Sequence, residues 1–381
     1  MKKKIFVLLF ALTVLLLAGC QVGTPEPTSS PGAAVLDEQP AAQPESTGEA
    51  LQPGVETGDQ GAAEGMLPDD LVAQLDAFLE SQVYSDGGIP GGAAPGLVLL
   101  VDTPEGRYLN AAGVASLEDG TPMRVDDILE IGSNTKSMTI VLLMQLVEEG
   151  LLSLDDPLSK FLPDQAALLP NGDQITLRQM AQHTAGLYDY ADNIIAAGIM
   201  DPTALEAGFT PAELVQDAAD NGSPYFTPGE EGLWYYSNTG YVLLGMIIES
   251  ITGESLTDLF QTRIFDPLGL ESAVLIEGVP QAGEITTQGY WWTEEGERLN
   301  TTSWNASQGW AAGAVAMTAS DLAAYGKALA AGELYKNPAT LMEMLTFDPD
   351  AINGVGAPYG LGLFDVAGDG SVWGHAGQTL G

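Results

Sequence analysis

The sequence predicts a mixed α/β (α+β) domain, because extended segments lie near both ends of its apolar part and helical patterns fill the middle. The chain has 381 residues, of which 45% are hydrophobic, and this is enough apolar material for a sizeable buried core. No internal repeat is visible, and after residue 65 Gly and Pro are spread among loops. We therefore expect a globular domain over residues 66–381.

The first 65 residues predict export and a tether. Residues 1–4 supply a positive start, residues 5–18 form an unbroken apolar stretch, and "LAGC" ends at Cys20. This pattern resembles the bacterial lipoprotein signal, which implies cleavage after residue 19, a lipid on the Cys20 thiol and a location on the extracytoplasmic face of the bacterial cell membrane. An ordinary secretory peptide with an incidental cysteine is the alternative. Residues 20–65 are acidic, rich in Pro and Gly and free of aromatic residues, which indicates a disordered tether.

Composition excludes several classes of function. The chain carries 12 Lys and Arg against 52 Asp and Glu, a net charge of −40, so we expect no nucleic-acid partner. Its two histidines, His183 and His375, and its single cysteine rule out a zinc site of thiolate or multi-histidine type, and we expect neither a metal nor a cofactor. No G-x-S-x-G elbow, Walker loop or G-x-G-x-x-G follows a predicted strand, which disfavours the α/β-hydrolase, nucleotide-binding and dinucleotide-binding classes. The oligomeric state is left open.

The first two predicted elements are a helix and a hairpin. "LPDDLVAQLDAFLESQVY" has helical apolar spacing, with Asp69 or Asp70 as its N-cap. "APGLVLLVDTPEGRYLNAAGVAS" reads as two strands around a turn at residues 103–106. The expected inner face of the helix comprises Leu71, Leu75, Phe78 and Leu79.

Helices dominate the middle of the sequence, and strands return at its end. "SMTIVLLMQLVEEG" predicts a buried helix closed by Gly150, and "SNTGYVLLGMIIESITG" predicts another closed by Gly253. Thr318 opens a further helix that runs through Leu329. "PYGLGLFDV" and "GSVWGHAGQTL" then read as strands separated by a turn at residues 367–370.

The stretch "IGSNTKSMTI" places a serine and a lysine three positions apart where an apolar run begins. If the helix begins at Ser133, the Cβ atoms of Ser133 and Lys136 lie about 5 to 6 Å apart on one face. A serine hydroxyl is a weak nucleophile until a neighbouring base takes its proton, and a lysine is such a base only when it is neutral. The apolar run and the positive end of the helix dipole both favour the neutral amine. The spacing therefore predicts a nucleophile and its base, although S-x-x-K alone is a weak signal.

Two further motifs follow in the chain: "YSN" at Tyr236 to Asn238 and "HAG" at His375 to Gly377. With S-x-x-K they resemble the class C β-lactamase and D-alanyl-D-alanine carboxypeptidase family of penicillin-binding-protein-like serine hydrolases, in which Y-x-N is the second element and H-x-G often the third. The resemblance runs from about Leu67 to the end and includes "VEEGLLSLDDPLSKFLP", "ITLRQMAQHTAGL" and "IFDPLGLESA". It implies the β-lactamase/transpeptidase-like fold, an antiparallel sheet flanked by helices with a helical subdomain.

The resemblance also implies roles for the first two motifs. Ser133 would form the acyl-enzyme, Lys136 would help to deprotonate it, and Tyr236 would relay a proton to or from the leaving group, with its pKa lowered by the nearby cation. Which of Lys136 and Tyr236 is the base is left open, so the two are treated as a coupled pair. Asn238 would hydrogen-bond Lys136 and the substrate amide.

The third motif is expected to bind substrate. The resemblance implies an oxyanion hole made by the backbone N–H groups of Ser133 and Gln378, with His375 facing the substrate and Gly377 in the same segment. A structural His375, satisfied by a backbone carbonyl, is the alternative. His183 within "QHTAGL" is interpreted as a support of the site. The later tryptophans line either a substrate cleft or the core: Trp234, Trp291, Trp292, Trp304 and Trp310.

These motifs together predict a lipid-anchored serine hydrolase that acts without a cofactor on D-alanyl peptides, β-lactams or small esters. The presence of His375 where β-lactamases carry a lysine favours a carboxypeptidase or an esterase, because a lysine would offer a fixed cation to a substrate carboxylate. The alternative is a non-catalytic or slowly deacylating penicillin-binding or sensor protein of the cell envelope.

One departure from the family concerns the end of the sequence. In the family, two further strands and a terminal helix follow the third motif, and the helix packs on the first helix. The sequence ends at Gly381, soon after His375. We therefore expect it to be a fragment of a longer gene product, and expect residues 20–381 alone to be poorly stable and weakly active.

Overall fold

The computed structural model describes residues 67–83, 94–292, 296–352 and 357–379, and its mixture of helices and antiparallel sheets confirms the predicted fold class. The predicted signal segment at residues 1–19, Cys20 and the tether at residues 20–65 lie outside the described residues. Among the residues that are described, no helix has the length and apolar character needed to cross a bilayer.

Helices fill the middle of the described chain, and several begin with a capping hydroxyl. Thr210 and Thr318, for example, each accept a hydrogen bond from the backbone N–H three residues on. In chain order the helices are α1 (Asp69–Ser81), α2 (Thr135–Glu148), α3 (Pro163–Leu168), α4 (Leu177–Ala181), α5 (Tyr190–Met200), α6 (Pro211–Asn221), α7 (Asn238–Thr252), α8 (Leu256–Phe260), α9 (Asp266–Leu268), α10 (Trp310–Gly313), α11 (Ala319–Ala331) and α12 (Pro338–Met344).

The strands are short except for the first hairpin. They are β1 (Gly96–Thr103), β2 (Gly106–Gly113), β3 (Leu129–Glu130), β4 (Val274–Leu275), β5 (Tyr290–Trp292), β6 (Arg298–Asn300), β7 (Val315–Met317), β8 (Asp348–Ile352), β9 (Pro358–Tyr359), β10 (Phe364–Asp365) and β11 (Trp373–Gly374). Within the described residues they pair antiparallel as β1-β2, β3-β7-β4, β5-β6 and β8-β9-β10-β11. The β1-β2 register runs from Gly96 opposite Gly113 to Thr103 opposite Gly106, as the hairpin prediction requires.

The core is built around α2 and α7. Residues 138–144 of α2 are all buried, and α7 is buried at residues 239–245 as well as at Ile247 and Ile248. A helix that is apolar on every side is stable only inside a protein, and here α2, α7 and α10 pack on one another. Gly253 closes α7 in the left-handed conformation, with φ of 71°, as the sequence predicts. These two helices bring residue 136 next to residue 238.

The first helix differs from its prediction. Asp69 and Asp70 do not cap α1, because the helix already begins at Asp69 and Pro68 occupies the N-cap position. Leu71 and Phe78 do not face inward: they are 37% and 47% exposed. Val72 and Leu75 pack on the hairpin cluster, and Leu79 is buried. The apolar spacing alone did not distinguish this face of the helix from the neighbouring one.

Candidate active site

Ser133 lies in a tight turn just ahead of α2. Residues 132–134 form a 3₁₀ turn and α2 begins at Thr135, so the helix starts later than expected from the sequence. Gly132, the first residue of this turn, has a φ of +51°, a left-handed value that glycine adopts without strain. A Cβ atom at position 132 would lie 2.7 Å from the backbone N of Gln378, so glycine also permits a close approach of two segments.

Lys136 is fully buried on α2, and its Nζ has three neighbours. Nζ lies 3.1 Å from Ser133 Oγ, 2.6 Å from Asn238 Oδ1 and 2.8 Å from the carbonyl oxygen of Ala312. The structure therefore brings together the lysine, the serine and the asparagine of the first two motifs. Ala312 on α10 completes the set, and sequence reasoning could not find it because its contribution is a backbone carbonyl.

Burial determines the charge of Lys136. Removal from water lowers the pKa of its amine from 10.5 to about 7, and the negative charge of Asp189 opposes this by a smaller effect. At neutral pH a substantial fraction of the amine is thus uncharged, which a proton acceptor for Ser133 requires.

Tyr236 lies just before α7 with its ring beside the lysine. Lys136 Nζ is 4.7 Å from the ring centroid, and the phenol interacts with the side chain of Ser133. The expectation of a lowered pKa is wrong for this structure: burial raises the pKa of Tyr236 well above 10, and the interaction with Ser133 lowers it by less. The lysine does not act as a fixed cation here because its own burial favours the neutral form. Tyr236 is therefore a protonated donor at rest.

Asp189 is a site residue that the sequence analysis missed. It is 6% exposed, and its carboxylate accepts from Asn238 Nδ2 at 2.9 Å, so Asn238 bridges Asp189 and Lys136. Burial raises the pKa of Asp189 to about 6, against the backbone N–H of Ala191 and the charge of Lys136, which lower it. One aspartate among 52 acids gives no signal by itself. Its position as the N-cap of α5, two residues after the end of "QHTAGL", was the available hint.

The segment of residues 375–378 packs against the turn that contains Ser133. A Cβ at Gly377 would lie 1.9 Å from the carbonyl oxygen of Ile131 and 2.8 Å from Asn134 Nδ2, so only glycine fits there. The backbone of Gln378 touches Gly132 from the other side. The structure therefore places the two expected oxyanion-hole segments side by side.

His375 follows β11 and is 8% exposed. Its Nδ1 contacts the carbonyl oxygen of Ala376, which only accepts, so Nδ1 carries the proton and Nε2 accepts from the Tyr359 hydroxyl at 2.9 Å. Burial lowers the pKa of His375 to about 3, with a smaller effect from Lys136, so the ring is neutral. The ring centroid lies 6.3 Å from that of Tyr236 and 5.0 Å from that of Phe364. Both ring nitrogens are thus engaged within the protein, and binding of substrate by His375 stays a prediction.

His183 packs beneath Tyr236. Its Nδ1 accepts from the backbone N–H of Ser237 at 3.1 Å, and the centroids of its ring and the Tyr236 ring are 4.3 Å apart. Burial lowers the pKa of His183 well below 6.5, which keeps the ring neutral and apolar enough to pack. These contacts fit the interpretation of His183 as a support. The tryptophans occupy different positions. Trp304 and Trp310 are buried in the core, and Trp234 packs edge-on against His183.

Metal ligation has no candidate in the described part of the chain, where no group of three or more His, Cys, Asp and Glu side chains is arranged to hold an ion.

Several known proteins and one family model are similar to this chain. The beta-lactamase family model, described as "Beta-lactamase", matches residues 68–381. Penicillin-binding protein 4* of Bacillus subtilis (strain 168) is 32% identical over 176 residues, which cover 46% of this chain and 36% of that protein. The D-aminopeptidase of Brucella anthropi is 29% identical over 315 residues, which cover 81% of this chain and 55% of that protein. The crystal structure of a D-stereospecific amidohydrolase from Streptomyces sp. matches with a TM-score of 0.69 at 32% identity, covering 82% of this chain and 88% of that chain.

The lengths matched differ between these proteins. The chain spans 36%, 54% and 53% of the length of three curated relatives that it matches, and 88% of the Streptomyces chain.

Proposed function

The chain belongs to the beta-lactamase family, and on this premise we propose that it is a serine hydrolase in which Ser133 Oγ forms an acyl-enzyme with amide or ester substrates. The resemblance that the sequence motifs indicated is thereby confirmed at the level of the family and its fold. The roles of the individual residues are part of the proposal.

The proposal rests on the surroundings of Lys136 Nζ. A neutral amine has two N–H bonds and one lone pair. The carbonyl oxygens of Asn238 and Ala312, at 2.6 and 2.8 Å, can only accept, so they take both N–H bonds. The lone pair is left for the third neighbour, Ser133 Oγ, at 3.1 Å. The arrangement thus aims the base at the nucleophile before any substrate binds.

Acylation then follows in balanced steps. Ser133 Oγ bonds to the substrate carbonyl carbon while its proton passes to Lys136 Nζ. When the tetrahedral intermediate collapses, the bond to the leaving nitrogen or oxygen breaks and Tyr236 donates its phenolic proton to that atom. The ammonium of Lys136 returns a proton to the phenolate, which restores the pair.

Deacylation uses the same groups in reverse. Water adds to the ester carbon and gives its proton to the Lys136 and Tyr236 pair, after which Ser133 Oγ leaves and recovers a proton. The backbone N–H groups of Ser133 and Gln378 stabilise the oxyanion in both halves, where loss of one donor typically costs about 10²- to 10³-fold in rate. The contact between Gly132 and Gln378 supports this assignment.

The state of His375 favours substrates whose leaving group is uncharged. A neutral ring with both nitrogens engaged offers no cation to a carboxylate next to the scissile bond. The relatives named D-aminopeptidase and D-stereospecific amidohydrolase support D-amino acid amides as the first class to test. We expect a higher kcat/KM for D-phenylalaninamide than for a peptide that ends in D-Ala-D-Ala with a free carboxylate. The reverse order would contradict this choice of substrate.

A second candidate is a penicillin-binding or sensor protein that is acylated on Ser133 but is deacylated very slowly. It is favoured by the relative named penicillin-binding protein 4*. Labelling of Ser133 by a fluorescent penicillin that persists without turnover would support this candidate over the hydrolase.

The deciding experiment is covalent labelling with a fluorophosphonate probe, followed by mass-spectrometric mapping. We expect a single adduct on Ser133, loss of the adduct in Ser133→Ala, and unchanged labelling in Ser223→Ala, a matched change at an exposed serine. A wild-type protein that stays unlabelled, or an adduct that survives Ser133→Ala, would contradict the proposal.

We also propose that Cys20 carries a lipid that holds the protein at the extracytoplasmic face of the bacterial membrane, on the support of the "LAGC" pattern. Expressed in a bacterium, the full chain is expected in the membrane fraction and to incorporate labelled palmitate. Cys20→Ala is expected to lose the label and leave the membrane, and label that persists in this variant would contradict the anchor.

A further inference from the structure

The carboxylate of Asp189 accepts hydrogen bonds from N–H donors on two sides. Its carboxylate accepts from the backbone N–H of Ala191 at 3.1 Å, from the backbone N–H of Asn238 at 3.2 Å, and from Asn238 Nδ2 at 2.9 Å to one oxygen and 3.2 Å to the other. A buried carboxylate surrounded in this way is an acceptor with a fixed geometry. Its contact with Ala191 caps α5, and its contact with the backbone N–H of Asn238 gives a partner to a free donor in the first turn of α7. The contacts with Asn238 Nδ2 satisfy neither helix terminus.

The contacts with Asn238 fix the direction of the Asn238 amide. A side-chain amide has a donor end and an acceptor end, and the two differ only by rotation. Here Nδ2 points at Asp189 and Oδ1 points at Lys136 Nζ. In the rotated amide, Oδ1 would face the carboxylate and repel it, while Nδ2 would point an N–H at the lysine. That N–H would bind the lone pair that Ser133 needs.

We propose that Asp189 is a positioning residue that acts through Asn238 to keep the acceptor end of the amide on Lys136, so that the lone pair of the amine stays aimed at Ser133. The proposal rests on the proposed function. It assigns a role to a residue outside the three sequence motifs, and Asp189 itself touches neither Ser133 nor the substrate carbonyl.

Charges around Asp189 predict a second signature. Lys136 and Asp192 are the charged groups that act on it, and Tyr188, Tyr190 and Tyr236 are the titratable groups that feel its charge. The negative charge of Asp189 raises the pKa of Lys136. Removal of the Asp189 charge therefore lowers the pKa of Lys136 further, and the amine of Lys136 stays neutral to a lower pH. A role confined to capping α5 would not move this titration.

The test is Asp189→Asn, which keeps a good N-cap but loses the charge and the purely accepting character. The readouts are the rate of Ser133 labelling by a fluorophosphonate probe and kcat/KM for p-nitrophenyl acetate, each as a function of pH. We expect both to fall by about 10- to 100-fold at their maximum, as for other misplaced catalytic groups, with the acidic limb moved to lower pH. Asp192→Asn is the matched control, since it removes an equal charge without touching Asn238, and we expect nearly wild-type rates.

A reciprocal double variant distinguishes a loss of the amide's direction from a loss of folding. In the double variant Asp189→Asn with Asn238→Asp, the new carboxylate at position 238 accepts a hydrogen bond from Lys136. The new amide at position 189 donates to that carboxylate, so position 238 again presents an acceptor to the lysine. We expect partial recovery of the maximum rate over Asp189→Asn, with the acidic limb moved to higher pH because a carboxylate now touches the amine.

The outcomes separate this inference from the proposed function. Wild-type protein that is not labelled at Ser133 would end the proposed function. Labelled wild type together with wild-type rates and an unmoved acidic limb in Asp189→Asn would overturn the positioning role alone. The positioning role would also be overturned if Asp189→Asn loses rate and the reciprocal variant, shown to be folded by its thermal transition, does not recover any of that rate.

Discussion

The helix that carries Lys136 and the layer formed by the first helix and the first hairpin are buried to different degrees. In α2 every residue from Thr135 to Met144 is buried, with Lys136 among them. In the hairpin layer, which we define as α1, β1 and β2, the buried cluster is small and Phe78 is 47% exposed. Tyr108 and Asn110 in this layer hydrogen-bond to Asp76, so polar contacts supplement the packing. The difference indicates that close packing fixes the position of Lys136, whereas the hairpin layer is held by fewer apolar contacts.

A buried lysine of α2 and an exposed lysine of α11 that pairs with the hairpin layer provide the strongest test of this difference. Lys136→Met removes the proposed base, and we expect kcat/KM for p-nitrophenyl acetate to fall about 10³-fold because general-base catalysis contributes on this scale. Lys327→Met removes a lysine that pairs with Asp102 of β1 at 2.6 Å and is expected to leave kcat/KM nearly unchanged. Equal losses in the two variants would show that the effect of Lys136 is not specific.

Apolar truncations compare the packing directly. Leu243 on α7 is fully buried, and Leu243→Ala should lower the free energy of unfolding by about 2 to 5 kcal/mol through lost burial and the cavity left behind. Phe78→Ala in the hairpin layer should change it by no more than about 0.5 kcal/mol, as for other exposed positions. Urea denaturation of both variants measures the two values. A larger loss for Phe78→Ala would mean that α1 is covered in solution by a surface that the described residues do not provide.

Phenols from the two regions form the next pair. Tyr236→Phe removes the proton donor, and kcat/KM for an amide substrate should fall about 10²-fold, since protonation of the leaving nitrogen depends on it. Tyr108→Phe removes only the hydrogen bond to Asp76 and should cost about 1 kcal/mol of stability with little change in kcat/KM. Amide hydrolysis that proceeds normally in Tyr236→Phe would remove the phenol from the mechanism.

A further comparison concerns stability as a function of pH. Burial lowers the pKa of Lys136 from 10.5 to about 7, so between these values the unfolded chain binds more protons than the folded chain. This residue therefore makes the free energy of unfolding rise with pH from about 7 toward 10.5. Thermal denaturation at several pH values should show that Lys136→Met loses this component and Lys327→Met retains it. A slope that is identical in both variants would contradict the buried, neutral amine.

Much of the site could be predicted because its chemistry is local in sequence. The spacing of Ser133 and Lys136 predicted that their side chains share one face, and the resemblance carried by the Y-x-N motif implied that Tyr236 and Asn238 join them. Asp189 was not predictable, because the burial of one acid among many depends on how the start of α5 approaches α7. The pKa of Tyr236 was mispredicted for a related reason: the charge of its neighbour is set by burial, which sequence spacing does not reveal.

The same limit applies at the edge of the molecule. In α1 the apolar residues occupy more than one side of the helix, so spacing could not decide which side meets the hairpin. Packing on β1 and β2 selects the face of Val72 and Leu75 and leaves Leu71 exposed. Local patterns thus predicted which elements form, while their contacts decided which side chains are buried.

The most direct measurement is an NMR titration of the lysine side chains, followed at their ¹³Cε resonances. The structure predicts one resonance that titrates near pH 7, disappears in Lys136→Met and remains in Lys327→Met. If every lysine instead titrates near its ordinary value of about 10.4, the amine at residue 136 is charged at neutral pH and cannot serve as the base for Ser133.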